Sequence, residues 1–531
     1  MKKIRILALA LSALLMLTAC GGGQTSPSTA PSANPDDAAT PPPASAQQTT
    51  VDVKAPADKD DIVVIVDTEP SSLDPHNLNM VTGFTISKHI LDRLFVADAE
   101  YNVTPSLAES YEWTDDTTLV VKIREGVKFT DGDPLTAEDV VYTIQRAAAK
   151  PQSANTFAPF DAENTKALDE YTVEIKTKYP YPNAILVLAS GRAGIVSQKS
   201  IEEMGEDAYG RAPVGSGKFK VVQWVSGDRI ELTRNDEYWG EKPAYKDLTW
   251  RIITESASRA MEVETGGADV VFKVSGEDVE RLKANPEINV YEGPSSTMNH
   301  IVINSVNFDT LKDPKVREAM HMAIDMNALV QVAYKGYGQV ATSLVPAVTP
   351  MYSDVSGNTS YDPEGAKALL AESGFDTSTP IILQIYKNTQ IEAVAEMLCN
   401  MWNSIGLNVQ IEMMDRATQV TNNGQGKTPF YISSVTASDG NIESVFRMWE
   451  TPSYAFTADE DLRNRITAAK GIVDDAERAQ AYADLQEECW NLHTVIPMCT
   501  TNLVFATAGY VQNFTFNPDN APDLSVLTLN K

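Results

Sequence analysis

The sequence contains few of the residues and none of the short motifs on which many enzymes and metal proteins rely. Its 531 residues include four cysteines and five histidines, and the histidines are too dispersed to match metal-ligand spacing. No HExxH, CxxC, GxSxG, Walker A or GxGxxG motif occurs. We therefore expect a binding protein without a metal or cofactor rather than an enzyme. A surface hydrolase stays open as an alternative, because carboxylates are abundant.

The cysteines are too few for a disulfide framework. Cys399 lies in an apolar helical pattern, which predicts a small core residue. The sequence leaves open whether Cys489 and Cys499 form a disulfide. The formal net charge of −29 disfavours direct binding to nucleic-acid phosphates or to anionic lipid headgroups.

Long apolar runs are also absent after the first segment of the chain. Lys2, Lys3 and Arg5 precede the apolar residues 6–17, which are too few to span a bilayer but are typical of a secretory signal. The next residues, Leu17-Thr18-Ala19-Cys20, resemble a bacterial lipobox, in which the cysteine thiol receives a diacylglycerol and becomes the mature N-terminus. Residues 21–50 hold six prolines and no Leu, Ile, Val or aromatic residue, so we predict a disordered linker behind a lipid anchor.

Helix and strand patterns alternate from residue 62 onward and predict a mixed α/β protein. Residues 62–66 read as a buried strand, and Thr136 to Asp139 resemble a capping box at the start of a helix. Asp362-Pro363 predicts a helix start and Gly374 its end. Helical spacing continues from Val394 to Ile405, and a further stripe consists of Val316, Ala319, Met320, Ala323 and Ile324. Alternation at Leu407, Val409, Ile411 and Met413 predicts a half-buried strand.

Five blocks together resemble the bacterial extracellular solute-binding proteins of family 5, the peptide/nickel group that serves ABC importers. They occur in the family's order and span residues 62 to about 510. The blocks are residues 73–76 (LDPH); 105–110 (PSLAES) with 122–129 (KIREGVKF) and 131–140 (DGDPLTAEDV); 215–217 (GSG) with 234–240 (RNDEYWG); 313–319 (DPKVREA) with 323–325 (AID); and 361–363 (YDP) with 369–370 (LL) and 373–375 (SGF).

This resemblance implies a two-lobed, type II periplasmic-binding-protein-like fold with an inserted subdomain, in which ligand binds between the lobes. The expected segments are a signal peptide (1–19), the lipidated cysteine and linker (20–60), lobe I (61–102, 212–300 and 506–531), the inserted subdomain (103–211) and lobe II (301–505).

The resemblance also implies candidate ligand contacts. In peptide-binding members, an aspartate shortly after a tryptophan on a lobe II strand binds the peptide ammonium. Asp439 matches that aspartate here, and Thr436 occupies the tryptophan's place. Further candidates come from position alone: Met80, Val81, Met298, Asn299, His300 and Trp402.

The implied function is capture of oligopeptides or dipeptides by a receptor that delivers them to ABC permease subunits. The protein is expected to be a monomer on the extracytoplasmic face, anchored through Cys20. Gly21 follows Cys20 where inner-membrane retention in two-membrane bacteria is associated with aspartate, which favours a Gram-positive-type surface. A receptor of the same fold for a nickel chelate, an opine or a sugar oligomer stays open, and a surface peptidase is a more distant alternative.

Overall fold

The largest element of the fold is a mixed sheet that runs through both halves of the chain. A computed structural model describes residues 53–78, 80–450 and 459–531. Cys20 and the predicted signal peptide and linker up to residue 52 lie outside the described residues. Within the described part, eleven strands form this sheet in the order β15-β14-β16-β12-β17-β11-β1-β10-β9-β8, with β13 paired to β17.

The strands are β1 (Asp61–Val66), β2 (Phe95–Ala97), β3 (Val103–Pro105), β4 (Ala108–Asp115), β5 (Thr118–Ile123), β6 (Lys166–Asp169), β7 (Thr172–Lys176), β8 (Phe219–Val225), β9 (Arg229–Arg234), β10 (Asp247–Ile252), β11 (Val270–Val271), β12 (Ile288–Ile303), β13 (Gly338–Val340), β14 (Ile381–Tyr386), β15 (Val409–Met414), β16 (Phe430–Thr436), β17 (Val495–Ala508), β18 (Val511–Gln512) and β19 (Thr528–Leu529).

The helices are α1 (Val81–Ser87), α2 (Ala137–Ala149), α3 (Ala154–Phe157), α4 (Ala184–Ala189), α5 (Gln198–Met204), α6 (Glu206–Arg211), α7 (Ser256–Glu264), α8 (Gly276–Lys283), α9 (Pro314–Met322), α10 (Met326–Ala333), α11 (Pro363–Ser373), α12 (Thr389–Ser404), α13 (Arg416–Gly424), α14 (Glu443–Glu450), α15 (Glu460–Ala469) and α16 (Asp475–Asn491). No helix of these described ranges combines the length and the apolar character needed to cross a bilayer.

Two long strands, β12 and β17, connect the halves of the large sheet. They pair with each other from Ile288–Ala508 to Val302–Val495, with a register shift between Pro294 and Met298. On one side of this shift β17 pairs with β11, and on the other side β12 pairs with β16. Because a register irregularity bends a ladder locally, the shift marks where the two halves join.

The segment between β3 and β8 builds a separate layer. Strands β4, β5, β7 and β6 form an antiparallel sheet in that order. Buried residues of α2, among them Val140 and Ile144, pack with those of β5 and β7 in one apolar core. This core also includes residues of α4, which lead the chain toward the cavity described below.

Several local predictions are confirmed. Thr136 and Asp139 form the predicted capping box of α2. Asp362 caps α11, and Gly374 ends it in the left-handed conformation, with φ 69°. Cys399 is buried, and the stripe beginning at Val316 lies in an apolar core. Cys489 and Cys499 are both buried and not joined in a disulfide.

The prediction of a half-buried β15 is wrong in its second half. Val409 is buried, but Ile411 and Met413 are exposed. The reason is position, since β15 is the edge strand of the sheet and, among the strands that the structure describes, pairs with β14 alone. The alternation of apolar and polar residues predicted the strand. It could not predict that no described element covers the side chains of Ile411 and Met413.

Candidate ligand-binding site

A cavity of about 560 Å³ lies between two parts of the chain that are distant in sequence. One wall comes from residues 155–192 and the other from residues 434–470. The volume falls within the range of about 300–1,000 Å³ that is typical of small-molecule sites. The charged and phenolic side chains that line it are Arg192, Arg447, Lys470, Asp439, Glu443, Glu450, Tyr179 and Tyr181.

The end of β16 gives the cavity an open strand edge. The N–H of Ala437 donates to the carbonyl of Ser296 at 2.9 Å, so the odd-numbered residues of β16 direct their backbone groups toward β12. The backbone groups of Ser434 and Thr436 therefore point to the opposite side. There, β14 pairs with β16 only at Phe430 within the described residues. Ser434 and Thr436 line the cavity, so their backbone N–H and C=O groups are available to a ligand.

Asp439 follows this strand edge in the short 3₁₀ turn Ser438–Gly440. Its backbone is left-handed, with φ 54°. The pKa of Asp439 is raised because burial removes water from the carboxylate, although the guanidinium groups of Arg93 and Arg192 oppose this shift. When ionised, this carboxylate offers two oxygens as acceptors to a ligand.

A second carboxylate, Asp519, lies close enough to Asp439 for their charges to interact. Asp519 accepts the hydroxyl of Tyr101 at 3.0 Å. Burial, with the charge of Asp439, raises the pKa of Asp519 to about 7. A Cβ on Gly440 would lie 2.4 Å from the ring of Tyr101, so this close approach requires glycine.

A third carboxylate, Glu443 at the start of α14, bridges the two walls. Its side chain accepts the Tyr181 hydroxyl at 2.9 Å and the Asn183 amide at 2.6 Å. Burial raises the pKa of Glu443. Tyr181 and Asn183 belong to the segment between β3 and β8. These two hydrogen bonds therefore join that segment directly to α14.

The basic side chains of the cavity differ in their partners. Arg192 lies over the ring of Phe84 and donates to the carbonyls of Leu78 and Gln152. Lys470 forms an ion pair with Glu450. Arg447 has no ion pair or hydrogen bond with any described residue.

The structure brings two of the predicted contacts together, because Thr436 and Asp439 both line the cavity. The hydroxyl of Thr436 lies 2.8 Å from that of Thr297 on β12. Cys20, predicted to carry a lipid, lies outside the described residues.

Six other predicted side chains do not line the cavity. Met80 caps α1, and Val81 is 40% exposed at its first turn. Met298 and His300 are buried in β12, and the Asn299 amide donates to the carbonyl of Cys499. Burial lowers the pKa of His300 to about 4.

Trp402 was also a candidate contact, and the structure places it in the core. It is fully buried, and its indole N–H donates to the carbonyl of Met320 at 2.9 Å. Its ring packs against Phe430. The helical stripe of α12 accounts for this position, because Val394, Leu398 and Trp402 share the buried face.

Sequence reasoning missed Ser190, Arg192, Glu443 and Arg447. Tyr181 and Glu443 are hydrogen-bonded across 262 positions of sequence, a distance over which no motif spacing carries information. One feature of the sequence could have indicated Glu443 and Arg447 as cavity residues, because both follow shortly after Asp439 on the next helix.

Relatives known by sequence and by solved structure match most of this chain. The glutathione-binding protein GsiB of Escherichia coli strain K12 is 29% identical over 476 residues, which cover 86% of this chain and 92% of that protein. HbpA2 from Haemophilus parasuis has a TM-score of 0.78 at 24% identity and covers 88% of this chain and 99% of that one. DppA from Helicobacter pylori, solved with the peptide STSA, has a TM-score of 0.76 at 21% identity and covers 89% and 98%. These structures confirm the predicted two-lobed, type II periplasmic-binding-protein fold.

The family comparison covers one wall of the cavity and the other wall up to residue 456. Residues 102–456 match the bacterial extracellular solute-binding proteins, family 5 Middle. The matched range includes the segment between β3 and β8, the open edge of β16 and the whole of α14. The chain therefore belongs to the bacterial extracellular solute-binding proteins of family 5.

Proposed function

We propose that this protein captures short peptides in the cavity and delivers them to the permease of an ABC importer. The observation that carries the proposal is the open edge of β16, which ends at the carboxylate of Asp439. The names of related proteins support the same ligand class, since GsiB is a glutathione-binding protein and DppA was solved with a peptide.

The strand edge explains how one cavity accepts different peptides. An extended peptide that lies along Ser434 and Thr436 pairs its backbone with theirs, as an added strand does. Every peptide has these backbone groups, so affinity does not depend on one side chain. Thr436 stands where peptide-binding members have a pocket tryptophan. Because threonine is smaller than tryptophan, it leaves more room for the neighbouring side chain of the peptide.

Asp439 supplies the charge that a free peptide N-terminus requires. An ammonium group that loses its water on binding needs a paired, hydrogen-bonding anion. The carboxylate of Asp439 lies at the end of the strand edge, where the first residue of an aligned peptide would be.

Ligand capture then follows from closure of the two lobes, for which we retain the boundaries predicted from sequence. Only the closed state contacts a ligand from both walls, so ligand shifts the population toward it. The bonds of Glu443 with Tyr181 and Asn183 support closure, because they form only when the walls meet. The register shift in β12 and β17 supplies the hinge. Binding and release need no chemical conversion of the peptide.

Purified protein should carry short peptides from its expression host, since closure retains ligand. Mass spectrometry of the small molecules released by denaturation tests this expectation. The expected result is a mixture of peptides that share length rather than sequence. Recovery of only an opine, a metal chelate or a sugar oligomer would reject the peptide proposal.

We further infer that Cys20 carries the lipid that anchors the receptor to the outer face of a Gram-positive-type membrane. The apolar run of residues 6–17 and the small residues before Cys20 support this inference. The Cys20→Ser variant is expected to appear in the medium or soluble fraction, measured by fractionation and immunoblotting. A processed variant that stays with the membrane would contradict the anchor, and Cys399→Ser is the matched control that should stay membrane-bound.

A further inference from the structure

A second cavity, of about 400 Å³, shares no lining residue with the first. It is formed by residues 88–106, by Lys218 and Tyr238, and by residues 515–525. Its volume also falls within the range of about 300–1,000 Å³ that is typical of small-molecule sites. The ionisable side chains that line it, apart from Tyr238, are Lys88, Arg93, Lys218, His89, Asp92, Asp98 and Asp523.

The two lysines of the second cavity have uncharged hydrogen-bond partners. The ammonium of Lys88 donates to the carbonyl of Ala521, and that of Lys218 donates to the hydroxyl of Ser525 at 2.8 Å. Burial lowers the pKa of Lys88 to about 8, which leaves it mostly charged at neutral pH. Because an ammonium has three donor hydrogens, each lysine keeps donors that these neutral acceptors do not use.

Arg93 adds a buried donor that has no partner. One terminal nitrogen of its guanidinium donates to the carbonyl of Ala189 at 3.4 Å. Its Nε–H is buried and has no hydrogen bond with the described residues. An unpaired buried donor costs free energy, and the cost is larger when the donor belongs to a charged group. A ligand with acceptor oxygens would remove that cost.

Two of the three acidic side chains are already engaged by other groups. Asp98 is exposed and accepts two backbone N–H groups of the turn that follows it, at 3.0 and 2.8 Å. Asp92 accepts the indole N–H of Trp239 at 2.8 Å. It also accepts the hydroxyls of Ser216 and Tyr238. These two carboxylates therefore do not satisfy the donors of the basic side chains.

Asp523 is the carboxylate around which the basic side chains gather. It lies close enough to both lysines and to the arginine for their charges to interact. Its Oδ1 accepts the backbone N–H and the hydroxyl of Ser525. His89 is neutral, since its Nε2 accepts the backbone N–H of Leu524 at 3.1 Å and burial lowers its pKa to about 4. One carboxylate is thus grouped with three cations, whose unused donors outnumber its free acceptor positions.

From this arrangement we propose that the second cavity binds a small organic anion, whose phosphate or carboxylate group accepts hydrogen bonds from the basic side chains. Arginine and lysine are common partners of both groups, and arginine can hold either in a bidentate contact. Val96 and Phe516, which also line the cavity, offer apolar surface to the uncharged part of such an anion. This site is independent of the proposed peptide site, because the two cavities have no lining residue in common.

The acceptor group has two possible sources, a phosphate and a carboxylate, and calorimetric titrations separate them. The probes are glycerol 3-phosphate, succinate and uncharged glycerol, each added to the intact protein at neutral pH. We expect at least one anion to bind saturably and about 10- to 100-fold more tightly than glycerol, the range for hydrogen bonds to charged groups. The anion that binds more tightly identifies the group. Absence of binding by both anions, or equally tight binding of glycerol, would overturn the inference.

Two substitutions locate the bound anion in the second cavity. Arg93→Gln and Lys218→Gln should each weaken its binding about 10- to 100-fold. Lys218→Gln keeps the test decisive if Arg93→Gln fails to fold, which circular dichroism reports. Lys199→Gln is the matched control, because Lys199 pairs with Asp133 outside the cavity lining, and it should bind the anion as wild type does.

Anion binding that either folded cavity variant leaves unchanged would overturn the inference. The peptide function is measured separately, by titration with trialanine. Binding of trialanine without binding of either anion would remove the second site and leave the peptide function standing. Binding of an anion without binding of trialanine would do the reverse.

Discussion

Replacing Asp439 with alanine is expected to weaken peptide binding by about 2–5 kcal/mol, the usual cost of removing one partner of a buried charge pair. This corresponds to roughly a 30- to 4,000-fold rise in Kd. The bound ammonium would lose its anion in a cavity from which water is excluded. Calorimetric titration with trialanine measures the change, and unaltered affinity would contradict the assignment of Asp439.

The Asp439→Asn variant separates charge from backbone strain. Alanine is strained at the left-handed φ of this residue, whereas asparagine tolerates that conformation. We expect the Asp439→Asn variant to lose most of its affinity for trialanine as well. N-acetyl-trialanine, which has no ammonium, should bind weakly to wild type and show little further loss in the variant. Asp133→Ala, on the surface and outside the cavity lining, is the control for both titrations.

Replacing Asp74 with alanine is expected to lower the free energy of unfolding by about 3–5 kcal/mol, the cost of leaving a buried charge unpaired. Asp74 is fully buried and holds the guanidinium of Arg146 in two hydrogen bonds, of 2.8 and 2.6 Å. It also accepts the backbone N–H of His76 and the side-chain amide of Asn77. Urea-induced unfolding followed by circular dichroism measures the loss.

A surface ion pair provides the matched control for this loss. Asp133 pairs with Lys199 at 2.6 Å, and the two side chains are 36% and 60% exposed. Asp133→Ala should therefore cost less than about 1 kcal/mol. A double variant with Asp74→Leu and Arg146→Met should be more stable than Asp74→Ala, because no buried charge remains. Equal effects of Asp74→Ala and Asp133→Ala would contradict the role of the buried pair.

The same pair gives the stability a defined pH dependence. Burial raises the pKa of Asp74, but the hydrogen bonds and charge of Arg146 outweigh it, so the folded pKa lies below its ordinary value. Asp74 therefore makes its full contribution to the free energy of unfolding above about pH 3.9, its pKa in the unfolded chain. This contribution is lost as the pH falls through the lower pKa of Asp74 in the folded protein. The difference in stability between wild type and Asp74→Ala should shrink in that acidic window and stay constant near neutral pH.

Local signals in the sequence were reliable wherever one segment determines its own conformation. The Thr136 capping box, the Asp362 cap and the Gly374 stop depend on neighbours within four residues, and all three are present as predicted. The exposure of Ile411 on β15 was not predictable, because it depends on which strand lies at the sheet edge.

The candidate site was predictable only where a family motif reached it. Asp439 and Thr436 were found through the strand-and-turn segment that resembles other members, and both line the cavity. Arg447 and Ser190 were not found, because they line one cavity from two segments that are distant in sequence. Trp402 was predicted as a ligand contact, but it belongs to the core, where its indole N–H donates to the carbonyl of Met320.

The central claim is that the cavity binds peptides through their backbone and N-terminus. Titration of ligand-free wild-type protein with trialanine tests it most directly, because methyl side chains add little affinity of their own. We expect saturable binding of one trialanine per protein, weakened strongly by N-acetylation. Failure of trialanine to bind, together with saturable binding of an opine or a nickel chelate to the same preparation, would contradict it.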